Sequence, residues 1–311
     1  MRIMITGANG FIGKAIIDTF SSAKDEIIAI RRKAATDAVG NNIRFVTCDL
    51  LDYDSLESIV TECDLVIHLA ADMHSGNMYE NTIIGTQNLL AAMKTTGVNK
   101  LILCSSLSVL NYAYQDALRT IDETIPVCDN DDFLGRYALM KRDQEQLVND
   151  WVTNDRHALI LRPGLVYEEN AISSDHLGIK KSSLALISSH KGQVPLIHRK
   201  SVAQAFAAAS RYNFNTQINT LHLIDDRAPL QQNYISKLRA LGSFKVGIKI
   251  HWKVYCSMLG FVRLLFKSAG MRQKIPDAFR INSMYGRATP FLFSNSLAKE
   301  TLDWMPMETS I

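Results

Sequence analysis

Residues 1–13 of the 311-residue chain confine its fold more than any others. A short apolar strand, Arg2 to Ile5, runs into Thr6-Gly7-Ala8-Asn9-Gly10-Phe11-Ile12-Gly13 and then into an apolar-periodic helix, Ile12 to Phe20. Glycine is required where a chain turns tightly out of a strand, where backbone must approach a pyrophosphate, and where helix packs closely on sheet. The helix that follows aims its free N–H groups and the positive end of its dipole at the same spot. Set between strand and helix, the three glycines predict a dinucleotide site formed by Thr6, Gly7, Asn9, Gly10, Phe11, Ile12 and Gly13.

Short runs rich in Val, Ile and Leu recur between helical stretches, the pattern of a parallel sheet covered on both faces. They predict strands over Arg2–Thr6, Glu26–Arg31, Ile43–Cys48, Leu65–Ala70, Lys100–Ser105 and His157–Arg162, with helices near Ile12–Phe20, Ser55–Thr61, Asn77–Thr95 and Arg136–Val152. Six strands joined by crossover helices imply an α/β fold, a doubly wound parallel Rossmann sheet, with ligands at the carboxyl ends of the strands. After Pro163 the alternation weakens. Residues 168–194 read as polar and helical in pieces, Ser201–Tyr212 as a helix, and Asn219–Ile224 as a strand returning to the main sheet. The expected division is a dinucleotide-binding domain over 1–167, with a return at 195–224, and a smaller substrate-binding lobe made of 168–194 and 225–311.

With 47% hydrophobic residues the chain can bury a full core, and a net charge of +3 does not suggest a nucleic-acid binder. Five scattered cysteines without a CxxC pair read as reduced thiols, and eight scattered histidines without HxH or HExxH spacing predict no metal site. The first residues lead straight into the nucleotide-binding strand, and no window reaches ~18 uncharged apolar residues, so a cytoplasmic protein is expected. One stretch stands apart: His251 to Ala269 is apolar with Lys253, Arg263 and Lys267 spaced along it. It reads as a core or dimer-packing helix in preference to one lying on a membrane surface.

The end of the second strand selects the cofactor, because a carboxylate there binds both ribose hydroxyls of NAD whereas a cation accommodates the extra phosphate of NADP. Here Ile27-Ile28-Ala29-Ile30 ends in Arg31, Arg32 and Lys33, which favours NADP(H), with NAD(H) also possible. Asp49 after the third strand can accept from an adenine amino group, with Leu50 packed on the ring; Asp49 can equally cap the next helix. Ala70 and Ala71 end the fourth strand, where small side chains let backbone approach the cofactor, and His68 before them reads as a packed strand residue.

Tyr137 and Lys141 stand at i and i+4 on one helix face. A free tyrosine ionises near ~10, too high for a base at neutral pH, but at ~5 Å and an effective dielectric of ~20 an ammonium favours the phenolate by ~3 kcal/mol. Such a pair can move a hydroxyl proton while a hydride passes to or from nicotinamide. A neighbouring hydroxyl is then needed to hold the substrate oxygen, and the fifth strand ends in Cys104-Ser105-Ser106-Leu107-Ser108.

Together these residues resemble the extended short-chain dehydrogenase/reductase superfamily, the group of NAD-dependent epimerases, dehydratases and reductases. The resemblance rests on the TGANGFIG segment, Asp49-Leu50, His68-Leu69-Ala70-Ala71, Asn81 with Gly85-Thr86, Ser105-Ser106, Tyr137 through Lys141, and Leu161-Arg162-Pro163-Gly164. It resumes weakly over Phe293 to Lys299, with Leu302 and Trp304, after which it implies a further short helix. It implies Ser106 as catalytic hydroxyl, Tyr137 as acid/base, Lys141 as its partner, Leu69 beside the cofactor, Pro163 and Gly164 bordering the nicotinamide, and a homodimer formed through the 77–95 and 136–152 helices. Ser106-Leu107-Ser108 lacks the carboxylates of the dehydratase branch, and Gly164 stands where sugar-nucleotide epimerases often carry Asn. Glu168 and Ser201 also depart from the family pattern.

The expected activity is an NADP(H)-dependent carbonyl reductase of a nucleotide-linked keto-sugar in polysaccharide synthesis. Arg199, Lys200, Arg280 and Arg287 are candidates for its diphosphate. The alternatives are a sugar-nucleotide epimerase, a reductase of steroid-like or flavonoid-like ketones favoured by the apolar 251–269 stretch, and a non-catalytic NADP(H) sensor.

Overall fold

A computed structural model of the chain describes residues 1–33, 40–72, 76–169, 171–214 and 219–307. Its first half alternates β1 (Arg2–Thr6), α1 (Phe11–Phe20), β2 (Glu26–Arg31), β3 (Ile43–Thr47), α2 (Tyr53–Val60), β4 (Leu65–His68), α3 (Met78–Thr96) and β5 (Lys100–Cys104). A two-residue β6 (Thr120–Ile121), α4 (Arg136–Trp151) and β7 (His157–Pro163) follow. The second half contains β8 (Leu165–Tyr167), β9 (Gly178–Lys181), β10 (Leu184–Ser189), β11 (Leu196–His198), α5 (Arg199–Ala209) and β12 (Thr220–Leu223). It ends with α6 (Gln231–Ala240), β13 (Val246–His251), α7 (Trp252–Ser268), α8 (Ile281–Ala288), β14 (Leu292–Phe293) and α9 (Ser296–Leu302).

Seven parallel strands form the main sheet in the order β12-β7-β5-β4-β1-β2-β3. The chain begins in the middle and winds outward in both directions, so the doubly wound α/β fold expected from the sequence is the fold observed. Successive side chains of a strand point to opposite faces, and both faces are covered. Ile3 and Ile5 join Ile16, Phe20, Val202 and Phe206 on the α1 and α5 side, whereas Met4 joins Leu56, Leu89, Val148 and Trp151 on the side of α2, α3 and α4. That double burial is why these strands are apolar throughout. The expected return of residues 219–224 is β12, which pairs with β7 through Leu221 and Leu161.

Two local expectations change. Asp52, not Asp49, caps α2 by accepting from the Ser55 amide, while Asp49 accepts from the Leu51 amide at 3.1 Å within the preceding turn. Residues 168–194 are not helical in pieces: β10 lies between β9 and β13 in a separate small sheet. α7 packs on one face of it through Tyr255, Cys256 and Leu259, against Ile179, Leu186 and Ile250. Residues 34–39, 73–75, 170, 215–218 and 308–311, within the expected domain boundaries, lie outside the described residues.

Candidate active site

The first crossovers leave β1 and β4 toward opposite edges of the sheet, so the carboxyl ends of these neighbours border a crevice. Two glycines fit the β1–α1 turn against it. Gly7 has φ +71°, and a Cβ there would lie 2.9 Å from the Ala70 amide nitrogen; one on Gly13 would lie 2.8 Å from the Ala8 carbonyl oxygen. Thr6 is wholly buried, and its Oγ1 accepts from the Leu69 and Ala70 amides at 3.2 Å, tying the end of β4 to the loop. Asn9, Gly10 and Phe11 are exposed and Ile12 is half-buried. Gly10 precedes α1 and gives it no side-chain cap, and its first turn holds no acid, so its leading N–H groups are available to an anion. A dinucleotide pyrophosphate fits this cradle.

The other expected cofactor residues stand at the same ends of the strands. Arg31, at the end of β2, lays its guanidinium 4.2 Å from the Phe45 ring centroid, and Arg32 Nη1 lies 3.5 Å from Asp72 Oδ2. Asp49 is exposed after β3, and Leu50 packs where a Cβ on Gly85 of α3 would meet it at 3.0 Å. Leu69, Ala70 and Ala71 are half-buried after β4, and Pro163 and Gly164 stand at the end of β7.

α4 sets Tyr137 and Lys141 one turn apart, yet their polar atoms have different partners. Lys141 is only 4% exposed, and its Nζ donates to the Cys104 carbonyl oxygen and to Gln144 Oε1, both at 2.8 Å. Gln144 Nε2 donates to Thr86 Oγ1 at 2.9 Å, which lies 3.0 Å from His68 Nε2; His68 Nδ1 lies 2.8 Å from Thr6 Oγ1. A buried chain of polar groups therefore links the glycine loop to the ammonium. Burial holds Lys141 below the ordinary lysine range, and burial together with the Lys141 charge pushes His68 down to about 3.

The expected downward pull of Lys141 on the phenol is not what this arrangement gives. Burial, then the neighbouring Cys104, push Tyr137 up to about 12, while a hydrogen bond with Ser106 acts the other way. Ser106 also accepts from the Ser108 amide at 3.2 Å. Among the described residues the buried Ser105 and Ser108 hydroxyls have no partner.

Ser106, Ser108, Tyr137 and Gly164 line a cavity of about 310 Å³. His176, Asn282 and Arg287 line it too, beside the apolar Leu107, Tyr112, Leu165 and Val166. Of the four cations expected to hold a diphosphate, Arg287 alone is in this lining. Arg199 instead stands 5.0 Å over the Phe11 ring, with its Nη2 2.6 Å from Glu168 Oε1, and Lys200 is exposed in the first turn of α5. Arg280, the residue preceding α8, reaches the Asp132 carbonyl oxygen at 3.5 Å. Sequence reasoning offered Ser108 among the hydroxyls after the fifth strand and missed Gln144, His176 and Asn282. A glutamine on the inward face of α4, three residues after Lys141, was a readable sign of a buried polar contact; His176 and Asn282 are gathered only by the tertiary fold.

Residues 3–219 match the model of the NAD dependent epimerase/dehydratase family. The chain is 27% identical over 173 residues to a 2-alkyl-3-oxoalkanoate reductase of Stenotrophomonas maltophilia, covering 54% of this chain and 51% of that protein. It is 28% identical over 167 residues to a dTDP-glucose 4,6-dehydratase of Mycobacterium tuberculosis, covering 49% of each. It thus spans about half the length of these curated relatives. The UDP-glucuronic acid 4-epimerase of Bacillus cereus, solved in complex with NAD, has a similar fold, with a TM-score of 0.69 at 19% identity over 99% of this chain and 94% of that one. The glycine cradle, the parallel sheet and the family match over residues 3–219 together show that the chain belongs to the NAD dependent epimerase/dehydratase family, within the extended short-chain dehydrogenase/reductase group.

Proposed function

We propose that this enzyme is an NADP(H)-dependent reductase of a carbonyl on a nucleotide-linked sugar. One observation carries the reading: Tyr137, whose phenol burial pushes up, shares one cavity of mixed polar and apolar lining with Ser106, Ser108 and Arg287. A protonated phenol suits the donation of a proton to an oxygen that is gaining charge, rather than the removal of one. Ser106 holds the carbonyl oxygen beside Tyr137, and Arg287 offers a planar fork to a diphosphate. Bound NADPH supplies the hydride. The glycine cradle and the amides of α1 would hold its pyrophosphate, and Arg31, flat against Phe45, and Arg32, both at the end of β2, support recognition of a ribose phosphate. The Arg287 guanidinium in the lining and the dTDP-glucose dehydratase among the relatives support a nucleotide-linked sugar. A homodimer formed through α3 and α4 and a cytoplasmic location belong to the same reading; the second is supported by five free, buried cysteines.

UDP- and dTDP-linked keto-sugars are to be screened for oxidation of NADPH against NADH. The Tyr137→Phe variant is expected to lose turnover by about 10²–10⁴-fold while binding NADPH as the wild type does. Turnover retained by that variant excludes the mechanism.

A further inference from the structure

α7 is apolar over much of its surface, but only one side of it is covered. Tyr255, Cys256 and Leu259 pack inward, while Val254, Phe261, Leu264 and Leu265, spaced at i, i+7, i+10 and i+11, form an outer face that is 59%, 62%, 60% and 51% exposed. Beside it β13, an edge strand, exposes Val246 and Ile248, and its neighbour β10 exposes Leu184. A monomer in water does not leave such a surface open without a use for it.

Charge indicates what covers it. Between Asp226 and Asp277 the chain has ten lysines and arginines and not one carboxylate. Lys245, Lys249, Lys253, Arg272 and Lys274 are all exposed, and among the described residues none of them has a carboxylate partner. Lys267 lies 3.5 Å from Asp132. A second copy of the same face would set these cations against themselves, which disfavours a twofold contact. At 17 residues, about 25 Å long, α7 does not cross a bilayer, and it carries Lys253, Arg263 and Lys267.

We propose that α7 and the exposed edge of β13 form a docking surface for an anionic membrane, with the helix lying flat and its outer apolar face in the headgroup region. Apolar burial and attraction to acidic headgroups act together in such a contact, each weak when alone. The proposal does not depend on which carbonyl the enzyme takes. α7 rests on α8, whose Asn282, Ser283 and Arg287 line the cavity, so docking brings the site within one helix of the lipid.

Sedimentation of the full chain with phosphatidylcholine vesicles, against vesicles of equal phosphatidylcholine and phosphatidylglycerol, tests this. Binding to the mixed vesicles alone is expected, weakened by salt. It should fall about a hundredfold or more in a Phe261→Ser, Leu264→Ser, Leu265→Ser variant and about fivefold for each of Lys249→Glu and Lys253→Glu. Unchanged turnover of the triple variant shows that it is folded. Absence of wild-type protein from the mixed vesicles overturns the proposal, as does equal binding by wild type and triple variant. Conversion of a dimer to a monomer by the triple substitution, without loss of vesicle binding, assigns the face to a second copy instead.

Discussion

Two helices of almost equal length, α4 with 16 residues and α7 with 17, sort their side chains in opposite ways. α4 buries Lys141, Gln144 and Glu145 and satisfies each of them: the lysine through Cys104 and Gln144, the glutamate through a two-pronged contact with Arg162 at 2.8 and 2.7 Å. α7 leaves Phe261 and Leu264 outside and keeps Lys253 in water over the Trp252 ring. Buried charge that is fully paired fixes geometry, because any rearrangement strands an ion in a medium of low dielectric. Exposed apolar surface fixes nothing until something lies against it. The contrast separates a part of the molecule that holds a reacting group still from a part made to be covered.

The strongest way to break that contrast is to unpair α4. Arg162→Met leaves the Glu145 carboxylate buried alone and should cost about 3–5 kcal/mol in urea unfolding; a loss under about 1 kcal/mol would mean that water already reaches the pair. Gln144→Leu should cost about 1–3 kcal/mol, since it leaves Lys141 with one acceptor fewer, and should shift the alkaline limb of the pH–rate profile without changing NADPH binding. An unchanged profile would make Gln144 only a packing residue.

Acid gives a third, graded test. His68 is held near 3 in the folded chain against 6.5 when unfolded, so below pH 6.5 the unfolded chain takes up a proton that the native one refuses. Stability therefore falls as pH falls from 6.5 toward 3, by at most about 1.4 kcal/mol per pH unit for this histidine, and His68→Gln should remove its share of the slope. His176 and His222, held at about 3, and His190, at about 4, act in the same direction, so the slope is reduced rather than abolished. The smallest effect belongs to α7: Phe261→Ser alone should change urea stability by no more than about 0.5 kcal/mol, and a large loss would show that its outer face is packed in solution.

Much of this was legible in the sequence for reasons that lie in the strands themselves. A strand buried on both faces cannot alternate, so the apolar runs of β1, β2, β4, β5 and β7 could be read to within two residues. Gly7 and Gly13 announced the cradle because no other residue fits against Ala70 and Ala8. β9 and β10 escaped because Lys180, Lys181, Ser182 and Ser183 hide a short hairpin in polar sequence. The Tyr137–Lys141 spacing was visible, but the partner of the ammonium was not. That depended on Gln144 one turn on and on the Cys104 carbonyl oxygen from another strand. The outer face of α7 was illegible for a different reason: a helix with apolar residues on two faces carries no sequence signal for which of them is inward.

α8 spans only eight residues, with Ser283 and Arg287 facing the cavity and Met284 and Ala288 wedged against α7, while Asn282 grips the Tyr112 amide at 2.8 Å and the Leu110 carbonyl oxygen at 2.7 Å. A rod so short and so well anchored cannot bend between its two sides. If a membrane covers α7 as proposed, a push on the rear helix should reach the guanidinium in front, and turnover measured with and without vesicles would gauge that load.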